Sequence, residues 1–264
     1  MIHSNSWSDH LSHLKSVFIK IKEAGLTAKP SKCNIGHAEV QFMGHFVGKG
    51  FVHPLQSKIE TIRNYPIPKT KKQVRQAIGL FSYYRKFIPN FAEIAYPITD
   101  LTKKGRTNVV AWTTECDLAF KQLKEAMCNE PVLRLPDHNK CFYIQVDACD
   151  HGLGAILSQY DSEGNEHPIC YASRKLLPRE RHYATTEKEC LGVVWAVTKM
   201  FKCYIYGKPF VLIVDHNPLV WLNRVKDTNE KLYRWSLQLQ EYDYEICHKA
   251  GKDHINADVL SRIE

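Results

Sequence analysis

Five short apolar or alternating runs, CFYIQV, GAILSQ, HPICYAS, FVLIV and YEICH, lie between residues 137 and 264, and the first three follow one another closely. Runs of this length, rich in β-branched and aromatic residues and bounded by Gly, Asp, Asn and Pro, read as strands. Long helical patterns intervene at 186–202 and 230–241, and a short one closes the chain at 254–262. Three strands in succession, then helix, strand, helices, strand and helix require a mixed sheet with helices packed against it. The expected class is therefore α/β of mixed type for this half.

The first 136 residues read differently. SDHLSHLKSVFIKIKEA (8–24) carries a helical apolar stripe at Leu11, Leu14, Val17, Phe18 and Ile21, and Gly25 closes it. VQFMGHFV and GFVHP, separated by Gly48-Lys49-Gly50, are hairpin chemistry. Helices are expected from Gln56 to about Tyr65, from Thr70 to about Ile88, from Pro89 to about Lys103, and from Thr114 to about Met127. Pro66-Ile67-Pro68 breaks the first from the second, and a Pro-marked linker runs from Glu130 to Asp137.

Charge divides the chain at the same place. Residues 1–136 hold 20 Lys and Arg against 10 Asp and Glu, whereas residues 137–264 hold 16 against 18, so +10 and −2 make up the net +8. A basic half joined to a mildly acidic one suits a polyanion-binding surface beside a site that needs carboxylates; a solvated basic helix face is the alternative. The expected helix 70–88 combines Lys71, Lys72, Arg75, Arg85 and Lys86 with Phe81, Tyr83, Tyr84 and Phe87. Cations there could neutralise phosphates while aromatics anchor the helix, or all the aromatics could be bundle core. No stretch approaches the roughly 18 apolar residues of a membrane span, and the N-terminus lacks the pattern of a secretory signal, so an intracellular protein is expected. Nine scattered cysteines without a C-x-x-C pair read as reduced thiols. Cys33-x-x-x-His37 and His10-x-x-His13 lack complete ligand sets, so no zinc site is expected.

Four acids carry the candidate chemistry. Asp147 ends the first strand-like run of the acidic half and Asp215 ends the fourth, so both can emerge at one end of the sheet. Glu189 opens the stripe Val193, Val197, Met200 and should face the sheet. Each acid also has a structural reading: an Asx turn for Asp147, a capping box for Thr186-x-x-Glu189, a helix cap for Asp215 and a solvated helical acid for Asp258. Taken together they favour a metal site. A carboxylate pushed toward a core is costly unless paired or metal-bound, and converging oxygen ligands suit Mg²⁺ or Mn²⁺. Paired hard cations serve in-line displacement at phosphorus. His248, ten residues before Asp258 in HKAGKDHINAD, could ferry a proton or be an ordinary loop histidine.

VDACDHGLGAILSQ, ICYASRKL, TTEKECLGVVWAV, VDHNPLVWL and HKAGKDHINADVLSR together resemble the ribonuclease H domain of gypsy-class long-terminal-repeat retrotransposon Pol polyproteins. EAGLTAKPSKCNIG, VQFMGHFVGKGFVHP and VRQAIGLFSYYRKFIPNFAEIAYPITDLTKK resemble the end of the palm, the primer grip, the thumb and the connection of the same reverse transcriptases. The resemblance implies a palm remnant over 1–54, a thumb over 55–105, a connection over 106–136 and a ribonuclease H domain over 137–264. Its fold would be a five-stranded mixed sheet with flanking helices, preceded by a mostly helical part. It implies that Asp147, Glu189, Asp215 and Asp258 hold two Mg²⁺ ions, or Mn²⁺, with His248 as the loop histidine. Phe42, Met43, Gly44 and His45 match the primer grip, and the cationic helix matches the thumb helix on a template–primer duplex or RNA–DNA hybrid.

The polymerase motif Tyr-x-Asp-Asp of that family would precede MIHSNSWSDHL, and residues 1–50 contain only Asp9, Glu23 and Glu39 as acids. The expectation is cleavage of the RNA strand of hybrids, with no DNA polymerisation by this chain alone. The rivals are a catalytically inactive or domesticated hybrid-binding protein and a polymerase subunit completed by a separate fingers–palm chain. Partners would include that chain or other Pol products, and the location would be cytoplasmic or a virus-like particle.

Overall fold

The computed structural model describes residues 2–4, 6–129, 132–214 and 230–248. The expected helix 254–262 lies outside them, as do Asp215 and Asp258. The chain forms two compact units, 1–40 and 41–264, and the division falls within strand β1 (Glu39–Phe42). In the first unit, helix α1 (Trp7–Glu23) starts where the Ser6 hydroxyl accepts the Asp9 N–H at 3.1 Å. None of its residues is buried, so the expected apolar stripe is half solvated here.

In the second unit, strands β2 (His45–Gly48), β3 (Phe51–Pro54) and β4 (Leu133–Arg134) pair antiparallel. VQFMGHFV is not one strand. It folds back at Met43-Gly44, where φ is 47° and 74°, just as the next turn does at Lys49-Gly50 with 49° and 82°. Two successive positive φ angles define the two-residue turn whose twist matches that of hairpin strands, and Gly44 removes the steric cost at one of them.

Helices α2 (Gln56–Arg63), α3 (Lys71–Tyr83), α4 (Phe91–Ile94), α5 (Tyr96–Asp100) and α6 (Thr114–Cys128) surround a core of Ile62, Val74, Phe81, Phe87, Ile98 and Phe120. Thr70 and Gln73 form a reciprocal capping box at the start of α3. The helix expected to reach Ile88 stops at Tyr83, and residues 85–87 make a tighter turn. Tyr84 turns inward there, its hydroxyl donating to the Gly44 carbonyl at 3.2 Å. The helix expected over 89–103 is two short ones, because Pro97 in the first turn of α5 brings no N–H to a continuous ladder.

Strands β5 (Phe142–Ala148), β6 (Gly152–Tyr160), β7 (Glu166–Lys175), β8 (Phe210–Val214) and β9 (Tyr244–His248) form a five-stranded sheet in the order β7-β6-β5-β8-β9. β5, β6 and β7 are antiparallel neighbours, while β8 runs parallel to β5 and β9 parallel to β8. Pro168 sits in the outer strand β7, where the register slips by a residue, as a residue without an N–H requires. Helix α7 (Thr185–Trp195) covers one face, with Phe142, Ile144, Leu157, Val193 and Phe201 in its core. It continues through a π turn at 196–200 into α8 (Lys202–Ile205), and α9 (Glu230–Leu239) packs beside it. The extra residue in the π turn rotates the apolar stripe, so Met200, expected in it, is 39% exposed and Phe201 takes the buried place.

The Phe120 ring stands edge-on to Phe81 at 5.8 Å and to Trp112 at 5.6 Å, and 2% of the residue is exposed. Phe120→Ala is expected to destabilise the second unit by about 3–5 kcal/mol through the lost transfer energy and the cavity left behind, measured as a lower urea midpoint at unchanged slope.

Candidate functional site

The site is built where β5 leaves the sheet. Asp147 is the penultimate residue of that strand, its side chain exposed, and it shares a cross-strand row with Gly154 and Ser173. β5 and β8 run parallel, so their carboxyl ends reach the same end of the sheet, β8 being described as far as Val214.

α7 crosses this end closely because Gly192 has no side chain: a Cβ there would lie 2.8 Å from Val146 Cγ1. At the helix start, the Lys188 ammonium reaches Asp150 Oδ1 in the β5–β6 turn at 2.7 Å. Glu189 falls along the helix between Lys188 and Gly192, which sets it toward the Asp147 end of the strand, and it is half-buried. The capping alternative goes to a different residue: Glu187, not Glu189, accepts the Ala184 N–H at 3.2 Å. Lys231 on α9 then bonds Glu187 at 3.1 Å. Cys190 next along points into the core with 0% exposure, and burial pushes its thiol up to about 12.

The structure thus brings Asp147 and Glu189 to one end of the sheet, and Asp215 and Asp258 lie outside the described residues. His248 closes β9 opposite Val214 in the register. Among the described residues no group of three or more His, Cys, Asp or Glu that could hold a metal ion is present.

The residues expected to meet nucleic acid fall into three groups. Phe42 and Met43 are exposed at the tip of the β1–β2 hairpin, with Gly44 beside them. His45 is instead buried in an aromatic nest of Tyr83, Tyr84 and Phe87, its Nδ1 2.7 Å from the Met43 carbonyl; burial and then the Lys86 charge hold its pKa down. The Tyr83 hydroxyl donates to the same Met43 carbonyl, so α3 fixes the hairpin tip. On α3, Lys72 and Arg75 are exposed, while Lys71 donates to the carbonyls of Lys103 at 3.0 Å and Arg106 at 2.6 Å. Arg85 and Lys86 lie beyond the end of α3. The Arg85 guanidinium donates to the Ser173 carbonyl of β7, and Lys86 rests over Phe87 at 5.1 Å.

Sequence reasoning did not single out Lys188, the partner of Asp150. Lys188 is 7% exposed, and a lysine one turn into an amphipathic helix next to its apolar stripe was the available signal. The Lys188 hydrogen bond and charge hold the Asp150 carboxyl below its ordinary value. A depressed folded pKa means the pair stabilises above the ordinary Asp value of about 3.9 and fades as pH falls through the folded one. In Lys188→Gln the Asp150 titration midpoint is expected to rise toward the ordinary value, read by carboxyl NMR.

The family described as "RNase H-like domain found in reverse transcriptase" matches residues 112–212. The retrovirus-related Pol polyprotein from transposon 297 of Drosophila melanogaster is 42% identical over 264 residues, covering 100% of this chain and 24% of its own length. The transposon Tf2-3 polyprotein of Schizosaccharomyces pombe is 34% identical over 268 residues, covering 100% of this chain and 20% of its own length. The chain therefore spans about a quarter or less of these relatives. Among solved structures, a foamy viral protease-reverse transcriptase in complex with RNA/DNA hybrid superposes over 95% of this chain and 34% of its own, with a TM-score of 0.76 at 22% identity, and shares the fold. Over its whole length the chain corresponds to a part of the Pol polyproteins of long-terminal-repeat retrotransposons, the gypsy class fitting, and it carries their RNase H-like domain.

Proposed function

We propose that the chain hydrolyses the RNA strand of RNA–DNA hybrids at the end of the sheet that carries Asp147 and Glu189. The observation that carries this reading is that Asp147 closes β5 at the end of the sheet crossed by α7, the helix that bears Glu189 and is tied to the β5–β6 turn by the Lys188–Asp150 pair, and that parallel β8 runs toward the same end. Asp215 follows β8 directly, and Asp258 is the fourth acid of the set.

The donor set fits a hard divalent cation. It consists of carboxylate oxygens, and the Cys190 thiol beside Glu189 is turned into the core. Asp147, Glu189, Asp215 and Asp258 would hold two Mg²⁺ ions, with Mn²⁺ an acceptable substitute. Bound there, the ions supply Lewis acidity for attack of water on the scissile phosphate and for departure of the 3′-oxygen. The protein's own part is to hold the carboxylates ionised and oriented, and His248 would carry a proton to or from the reacting phosphate. Selection of RNA over DNA requires contacts to the 2′-hydroxyl.

The remainder of the chain supplies affinity. In this reading 1–54 is the palm remnant with the primer-grip tip Phe42, Met43 and Gly44; 55–105 is the thumb, 106–136 the connection and 137–264 the ribonuclease H domain. Lys72 and Arg75 are the exposed cations of α3 that would meet phosphates. A foamy viral protein of the same fold, described in complex with RNA/DNA hybrid, supports hybrid as the ligand.

With Mg²⁺ and an end-labelled RNA–DNA hybrid, the wild-type chain is expected to release RNA fragments with 5′-phosphates. Asp147→Asn and Glu189→Gln should each lower the rate at least ~100-fold, about 2.7 kcal/mol of barrier, with hybrid affinity retained. Binding without cutting in the wild type as well would favour the non-catalytic reading.

A further inference from the structure

A group of cations outside the assigned surfaces gathers around one ring at the same end of the sheet. Tyr96, the first residue of α5, has the Lys175 ammonium 4.3 Å, the Arg181 guanidinium 5.7 Å and the Lys103 ammonium 5.9 Å from its ring centroid. The His151 imidazole stacks on it at 5.2 Å. Lys175 also donates to the Tyr96 carbonyl at 3.3 Å and to the Thr99 hydroxyl, both neutral acceptors. The described carboxylate within this group is Asp100, already bonded by both Lys103 and Arg106. Glu180 is taken by Arg174 at 2.6 Å, and Asp150 by Lys188. The Nε of Arg181 is buried without a hydrogen-bond partner.

Cations held this close with too few carboxylates repel one another, and partial burial sharpens the cost. Burial, opposed by Asp100 and reinforced by Lys103 and Arg181, brings Lys175 down to about 8. An aromatic face offsets part of this through cation–π attraction, but a polyanion would offset it further.

The position is as informative as the charge. Lys175 pairs with Gly152 on β6, and Gly152 lies beyond the Asp147–Gly154 row, so Lys175 is at the Asp147 end of the sheet, two strands away. At about 4.8 Å per strand across the sheet and about 3.4 Å per residue along it this is ~12 Å from Asp147, about two backbone phosphates. On the other side, Lys71 of α3 bonds the carbonyls of Lys103 and Arg106, so the same loop adjoins the helix that carries Lys72 and Arg75.

We propose that the cation cluster around Tyr96, with Lys103 and Arg181 as its phosphate-contacting members, binds the sugar–phosphate backbone of a nucleic-acid duplex and joins the α3 surface to the acid end of the sheet. The inference rests on the nucleic-acid reading above and adds a contact site to it. Its contacts are to backbone, so they act on RNA–DNA hybrid and DNA duplex alike.

The test is fluorescence anisotropy of the full chain with a labelled RNA–DNA hybrid and with a DNA duplex, in EDTA, over a NaCl series. Lys103→Gln/Arg181→Gln is expected to make the slope of log K against log[salt] shallower by about 1.8, two phosphate contacts at about 0.9 each, on both duplexes. Lys103→Gln/Arg181→Lys keeps one charge and should lose about 0.9. The charge-matched control Lys121→Gln/Lys199→Gln, at exposed positions elsewhere, should leave the slope of the wild type. A slope for the first variant equal to that of the control, with steep binding by the wild type, overturns this proposal alone. Absence of salt-dependent duplex binding by the wild type overturns the nucleic-acid reading and this proposal together.

Discussion

The approach of α7 to β5 is the constraint from which the site follows. A side chain at residue 192 would drive a Cβ to 2.8 Å from Val146, so glycine there permits the helix to lie directly on the strand. Once it does, Cys190, Val193 and Val197 are sealed into the core, Lys188 is carried over the β5–β6 turn to Asp150, and Glu189 is left toward the Asp147 end of the strand. Val193 and Val197 share the helix face next to Glu189, and each buried aliphatic side chain contributes about 1.5–3 kcal/mol. The carboxylate is therefore held near the core by apolar burial that has nothing to do with its chemistry.

A second set of contacts joins the helical part of unit 41–264 to the other face of the same sheet. Ser173 is the centre: its hydroxyl accepts the Ala92 N–H at 2.9 Å, and its carbonyl accepts from Arg85. Gly154, one strand over in the same row, leaves room for the Asn90 side chain, whose Oδ1 would lie 2.5 Å from a Cβ. Asn90 itself adopts φ 46°, which asparagine tolerates better than most residues. Lys175 fastens the end of β7 to Tyr96 and Thr99. The row that carries Asp147 is thus the row on which α4 is seated, so the acids and the α3 cations belong to one packed body.

Most of the element pattern was legible in the residues. The strands appeared as apolar runs because sheet residues buried on both faces need them. Helices α3 and α6 appeared through their 3.6-residue stripes, and the order of strands and helices fixed a mixed sheet. Failures cluster where a local signal competes with packing. The helix through Ile88 ends at Tyr83 because Tyr84 finds the Gly44 carbonyl. VQFMGHFV reads as one strand until its turn is seen, and Met200 loses its place to Phe201 because a π turn leaves no mark in periodicity.

By itself the sequence determined the basic half and the family resemblance, since residue identity and spacing are properties of the chain. It placed Asp147 at a strand end and Glu189 at the head of an apolar stripe. Only the tertiary structure decided which charges are paired. Lys188 with Asp150, Arg174 with Glu180, Arg85 with the Ser173 carbonyl and the cations around Tyr96 join residues separated by anything from 6 to 88 positions. Such partnerships depend on burial and distance after folding, and Coulomb attraction and desolvation act through space, where a one-dimensional pattern carries no record of them.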